Sequence, residues 1–270
     1  MRFCGQSERR NHLRGQGGFT LLELAAVVAI ISILVSLLCA ALNHTKAKTL
    51  RLSCLDNMRQ LQFAWQLYTL DYDDFLPLNQ EDPTPRHPRI PFINSSTNSW
   101  VAGNPKMDRT TANIRRGTLF PYIGAPGVYR CPTDDSSVWG YPEIRRTRSY
   151  AMNAYLGGDE ILGVQPRMKG TDLISPPPQL TFVFIEEHEN SLWNANFLVS
   201  PKSKLMAASL SWLSTPSDRH QQGCNITFAD GHIEYWKWMS PKTDIVAQQL
   251  TSNGRELRDI RRLQSAIPQP

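Results

Sequence analysis

Three groups of residues have the types and spacing for chemistry. The first lies in Asp218–Trp238, D-R-H-Q-Q-G-C-N-I-T-F-A-D-G-H-I-E-Y-W-K-W. Here His220 and Asp230, with His232 or Glu187, could hold a metal. A histidine latch held by a carboxylate or carbonyl near the hairpin is the simpler reading. The second group is Glu186, Glu187, His188 and Glu189, directly after T-F-V-F-I. Its residue types suit a metal, but a charged strand end in solvent explains them with less. The third, Asp71, Asp73 and Asp74, has carboxylates at calcium-like spacing without the glycine and terminal glutamate of a calcium loop. A solvated helix end is the plainer reading. The chain has no nucleophile elbow, phosphate loop or H-E-x-x-H, and it is expected not to be an enzyme. A hydrolase using His188, His220 and Asp230 is the catalytic alternative.

The elements around these residues follow from local pattern. Asp230-Gly231 between two strand-like runs signals a two-residue hairpin turn. That register pairs Phe228 with Ile233 and Ile226 with Tyr235, and sends Thr227 and Glu234 to the other face. Leu180–Ile185 is a strand with a central place in a sheet. Asn43 to Tyr72 lacks Pro and Gly, and Leu50, Leu55, Met58, Leu61, Trp65 and Tyr68 form one helical stripe. Lys46, Lys48, Arg51, Arg59 and Gln62 fall elsewhere. Pro83, Pro85, Pro88 and Pro91 mark a linker. Near the end, Ser240-Pro241 with Asp244 reads as one helix start. Asn253 with Glu256 reads as a second, leading into a solvated amphipathic helix with Leu257, Ile260 and Leu263 on one side.

The stretch around which the chain is organised is Gly17–Leu42, G-G-F-T-L-L-E-L-A-A-V-V-A-I-I-S-I-L-V-S-L-L-C-A-A-L. From Phe19 to Leu42 its one charge is Glu23. A helix of that length covers about 36 Å, enough for a bilayer core of about 30 Å. The preceding Met1–Gly18 carries Arg2, Arg9, Arg10 and Arg14 against Glu8, which accounts for +3 of the formal +5. Positive flanks stay cytoplasmic, so the remainder should lie across the membrane. The basic balance is thus partly a targeting feature, and no nucleic-acid partner is expected. A plain anchor needs neither Gly18 nor Glu23. A secretory signal cut after Ala41 has too long an apolar core. Cys54, Cys131 and Cys224 remain outside leader and anchor.

A basic leader ending in glycine, a large apolar residue, and a glutamate four positions on resemble the class III signal of type IV prepilins and type II secretion pseudopilins. The resemblance implies cleavage after Gly18 by a prepilin peptidase and methylation of the new amino terminus at Phe19. Glu23 would neutralise the terminal amine of a neighbouring subunit during assembly. The group of pilin-like proteins abundant in planctomycetes and verrucomicrobia is similar in further stretches. Cys131-Pro132 and Asp134 match its Cys-Pro-x-Asp motif, and Ser149, Tyr150 and Asn153 match its Ser-Tyr-x-x-Asn motif. His220 with Asp230-Gly231 matches its H-X9-DG element. Cys54 near Asn57 fits its helix cysteine, and the resemblance implies a Cys54–Cys131 disulfide.

These readings give an α+β, pilin-like fold: a long N-terminal helix, half transmembrane, packed on an antiparallel sheet. The expected parts are a cleaved leader (1–18), a transmembrane half-helix (19–42), an amphipathic half-helix (43–72) and a periplasmic globular domain with a helical tail (73–270). The resemblance implies a structural pseudopilin in the inner membrane. It would have a cytoplasmic N-terminus and assemble with like subunits and other pseudopilins into a pseudopilus or surface filament. No cofactor or metal is expected. Calcium is the ion that type II secretion pseudopilins would suggest, but it prefers oxygen ligands to histidine. The alternative is a membrane-anchored binding module for a glycan or secreted protein, with Trp100, Trp139, Trp193, Trp212, Trp236 and Trp238 as contacts.

Overall fold

The computed structural model describes residues 20–82, 94–202, 210–243, 251 and 253–269. The expected cleavage point at Gly18 and Phe19, the proline-rich 83–91 stretch and Asp244, in the first turn of the helix expected from Ser240-Pro241, lie outside the described residues; Ser240 and Pro241 themselves are described and are not helical. The chain divides into two compact units, Met1–Lys46 and Ala47–Pro270. It is α+β, with an N-terminal apolar helix and a mostly antiparallel sheet, consistent with a pilin-like fold.

Helix α1 spans Leu21–Asp71. Its start is fixed by a reciprocal capping box. The Thr20 N–H donates to Glu23 Oε2 at 2.9 Å, and the Glu23 N–H donates to Thr20 Oγ1 at 3.2 Å. No Pro or Gly interrupts it. It ends where Asp73 and Asp74 turn to positive φ, 50° and 70°. In the first unit every described side chain from Thr20 to Lys46 is exposed. Leu21–Cys39 is long and apolar enough to cross a membrane. Its two serines turn inward, Ser32 Oγ donating to the Val28 carbonyl and Ser36 Oγ to that of Ile33. No hydroxyl there would be left bare in lipid.

In the second unit a five-stranded sheet has the order β5-β3-β4-β6-β7. The strands are β3 (Tyr150–Asn153), β4 (Phe182–Glu186), β5 (Asn196–Phe197), β6 (Gly223–Phe228) and β7 (Ile233–Lys237). All pairs are antiparallel except β3 with β5. A small ribbon of β1 (Ser137–Val138) and β2 (Tyr141–Arg145) stands apart from it. Short helices α2 (Ala112–Arg116) and α3 (Phe120–Ile123) precede the ribbon. As expected, β4 is central and buried throughout.

Two cores flank the sheet. On one side Met58, Leu61, Trp65 and Tyr68 of α1 meet Trp100, Tyr129, Tyr150, Met152 and Phe184. On the other, Ile260 and Leu263 of helix α4 (Gly254–Gln264) meet Ala151, Ile185, Cys224, Ile226, Trp236 and Trp238. The alternation of Tyr150, Ala151 and Met152 between the two cores is the period-two pattern of a strand. The α1 stripe differs from expectation at several positions, Leu50 being only half-buried. Cys54 and Gln62 are buried in it, whereas Leu55 is only half-buried.

Two sequence expectations need correction. The β6–β7 hairpin is shifted by one residue: Thr227 pairs with Ile233, Ile226 with Glu234 and Asn225 with Tyr235. The loop has three residues, because Gly231 (φ +100°) has a positive φ and Asp230 does not. The Gly231 N–H donates to the Phe228 carbonyl, giving a turn closed by a glycine bulge. The slip carries Ile233 and Tyr235 off the Ile226 face and brings Glu234 and Trp236 onto it. Helix α4 is likewise not simply solvated. Asn253 caps it, accepting from the Arg255 N–H, but Glu256 and Asp259 are buried around the ammonium of a fully buried Lys242.

Candidate functional site

At the N-terminus the described geometry gives Glu23 a definite local role, the cap of α1. Its Oε2 also accepts from Thr20 Oγ1 at 2.8 Å. The T-L-L-E spelling of a capping box was visible in the sequence.

The chemically dense site lies between α1 and the sheet. Four segments converge there: α1 brings Cys54, the loop after the Pro126–Tyr129 turn brings Cys131, the end of β4 brings Glu186, and the loop before β6 brings His220. All four are buried, and one ligand-type atom from each lies within 4.8 Å of the others. Cys131 Sγ is 3.3 Å from His220 Nε2, which is 3.2 Å from Glu186 Oε2. Glu186 Oε1 accepts from the Asn225 N–H, while Oε2 has no hydrogen-bond donor despite its closeness to the imidazole. Cys54 Sγ contacts the Tyr150 hydroxyl at 3.2 Å, and Cys131 Sγ contacts that of Thr133 at 3.0 Å. Cys54 and Cys131, for which the resemblance implies a disulfide, are both free thiols here, gathered with the imidazole and carboxylate.

The surrounding motifs build this pocket. The Ser149 hydroxyl donates to Asp134 Oδ2 and accepts from the Cys131 N–H. Asp134 lies 3.6 Å from Arg219, which also holds Glu189 at 2.6 Å. Asn57 on α1 donates to the Arg130 carbonyl. Asn153 donates to the Phe182 carbonyl. The Cys-Pro-x-Asp, Ser-Tyr-x-x-Asn and His220 signals, distant in sequence, thus frame one place.

Electrostatics follow from burial and contact. Burial pushes the Cys54 thiol well up, while the hydrogen bond from Cys54, helped by His220, draws Cys131 down. Burial opposes charge on His220, but the Cys131 sulfur and the Glu186 carboxylate outweigh it and hold the imidazole at about 10. Burial likewise works against the Glu186 carboxylate, but His220 and the Asn225 N–H outweigh it and keep its pKa low. The expectation of a charged strand end in solvent is therefore overturned. Glu186 and Glu187 are both buried, and burial raises Glu187 to about 8.

Other expected ligands lie elsewhere. Asp230 and His232 pair with each other at the hairpin tip, 2.6 Å apart, and neither belongs to the cluster around His220. Asp74 accepts from the Thr171 N–H and hydroxyl, and Asp71 from the Tyr122 hydroxyl, so these carboxylates fasten the end of α1 to neighbouring loops. Of the six tryptophans suggested as contacts, Trp100, Trp212, Trp236 and Trp238 are core residues. Trp139 is exposed and packs edge-on against Trp193. The sequence reading missed Glu186 as a partner of His220. The cue was a carboxylate at the end of an uninterrupted apolar strand.

Compared with known families, residues 13–38 match the prokaryotic N-terminal methylation motif. The match supports a precursor of the type IV pilin or pseudopilin kind, with processing by a prepilin peptidase, pilin-like assembly in general and an apolar N-terminal helix compatible with membrane anchoring. No curated protein and no solved structure matches the chain.

Proposed function

We propose that the chain is a structural pseudopilin-like subunit, not an enzyme. It is cut between Gly18 and Phe19, methylated at Phe19, and assembled with like subunits into a type II secretion-like pseudopilus or type IV pilus-like filament. The observation that carries this reading is the methylation motif over residues 13–38, running directly into the capped apolar helix. On this reading the N-terminus stays cytoplasmic before the cut, Leu21–Cys39 spans the inner membrane, and the globular part is periplasmic. Apolar helices bundle in the filament, and in that low-dielectric setting the Glu23 carboxylate meets a neighbour's terminal amine, where pairing counts for more than in water. His220, Asp230 and Gly231 serve the globular fold, His220 at the buried cluster and Asp230-Gly231 at the turn. The test is the mass of the N-terminal peptide from native membranes. A peptide beginning at N-methylated Phe19 is the expected result. A start at Met1, or after Ala41, refutes the reading.

A further inference from the structure

We propose that Cys54, Cys131, Glu186 and His220 form a closed four-ligand site for a divalent transition metal, with zinc the fitting ion. Two thiolates, one imidazole and one carboxylate are a zinc donor set, soft enough to disfavour calcium or magnesium. The spacing fits as well. With metal–ligand bonds of about 2.0–2.3 Å, the corners of a tetrahedron stand about 3.3–3.8 Å apart. The Cys131–His220 and His220–Glu186 contacts are 3.3 and 3.2 Å, and the whole set falls within 4.8 Å.

A second observation points the same way. Glu186 Oε2 is fully buried and faces the cluster, and although it lies 3.2 Å from His220 Nε2 it makes no well-formed hydrogen bond. A buried carboxylate oxygen that has a charge contact but no well-formed hydrogen bond is under-satisfied and can accept a further partner. A Cys54–Cys131 disulfide would consume the two sulfurs and leave that oxygen as it is. A metal would satisfy all four groups at once. Binding needs both sulfurs as thiolates and His220 as neutral imidazole, so whichever protons Cys54, Cys131 and His220 carry are released to solvent, with no change of oxidation state. Four protein ligands leave no open position, which marks the site as structural, not catalytic. The metal would tie α1 to β4 and to the loop before β6, across segments far apart in sequence. The site lies within Ala47–Pro270, and its existence does not depend on processing at Phe19.

The test uses the full chain purified in mild detergent without reductant or chelator. Elemental analysis should find about one zinc per chain. Exchange with cobalt(II) should give a thiolate-to-cobalt charge-transfer band and the visible bands of a tetrahedral centre. Cys131→Ser should abolish the charge-transfer contribution of that thiolate. Because that variant could lose its fold, Glu186→Gln supplies the second readout. It keeps the shape and should weaken cobalt binding roughly tenfold or more while leaving the thiolate band. A metal-free chain whose mass is lower by two hydrogens, with Cys54 and Cys131 joined, overturns the proposal. So do free thiols that retain neither zinc nor cobalt, or Glu186→Gln binding cobalt as tightly as the wild type.

Discussion

Replacing Lys242 with methionine should undock helix α4. The Lys242 ammonium is fully buried and lies 3.0 Å from Glu256 Oε1 and 2.7 Å from Asp259 Oδ2. It also donates to the Ser240 carbonyl at 3.0 Å. At an effective dielectric of about 20, each of the two charge contacts is worth about 6 kcal/mol in gross terms, largely offset by the desolvation of three ions. Removing the cation alone leaves two buried carboxylates facing one another. The net cost is then about 3–5 kcal/mol. For a unit the size of residues 47–270, each kcal/mol lowers Tm by about 2–4 °C, so a drop of about 6–20 °C is expected. Tryptophan emission is a suitable assay. The ammonium sits 5.1 Å from the Trp212 ring and 5.4 Å from that of Trp238, and Trp212 Nε1 donates to Glu256. Thermal unfolding of Lys242→Met should be compared with a triple variant carrying Glu256→Gln and Asp259→Asn as well. The triple variant should recover most of the loss, because no buried charge remains. A single variant within about 1 kcal/mol of wild type, or a triple variant no more stable than the single, would refute the reasoning.

Three further outcomes follow from particular side chains. Glu23→Gln preserves a capping side chain without the charge, whereas Glu23→Ala also removes the cap, worth about 1 kcal/mol to the helix. Both variants should be processed normally and fail to enter filaments in a crosslinking assay of native membranes; assembly by Glu23→Gln would mean that the cap, not the charge, is what assembly uses. Gly231→Ala places a Cβ at φ +100°, 2.6 Å from Gln66 Nε2 on α1, and should cost about 1–2 kcal/mol in denaturant unfolding; no loss would contradict the bulged turn. Lys106 is held at about 8, chiefly by burial and then by Arg146. Its folded pKa is below the unfolded value, so the folded state sheds the proton first. Stability should therefore rise between about pH 8 and 10.5. Solvent screening, the Asn190 carbonyl that accepts from the ammonium at 2.7 Å and the Trp193 face 3.5 Å from it all favour the charged form, so the rise should be on the order of 1–2 kcal/mol. Lys106→Met should flatten that rise in a pH series of melting curves, and an unchanged slope would refute the assignment.

Features set by neighbours along the chain were legible in the sequence. The extent of α1 follows from the lack of Pro and Gly, the cap of α4 from Asn253, and the central place of β4 from its unbroken apolar run. Features set by partners across the fold were not. Glu186 and Glu187 look like a solvated strand end because nothing local announces His220 or the burial around them. Lys242 looks like a surface lysine until Glu256 and Asp259 come round it on α4. The hairpin register failed for a finer reason. Asp-Gly also fits a turn with a single left-handed residue, and one residue of slip exchanges the faces of β7. The cysteines and His220 were singled out for separate reasons, but only the fold shows that they share a carboxylate.

The two outer strands of the sheet bear on how copies of this chain can meet. Strand β5 at one border is two residues long, and β7 at the other exposes Glu234 and Lys237. Short and charged borders discourage a second chain from adding its own strand. Arg262 of α4 lies over the Trp236 ring at 3.7 Å and covers part of the same border. Growth by continuous cross-chain sheet, the route to amyloid-like stacking, is thereby disfavoured at both borders. Association of copies through other surfaces would leave the sheet as an internal scaffold within each copy.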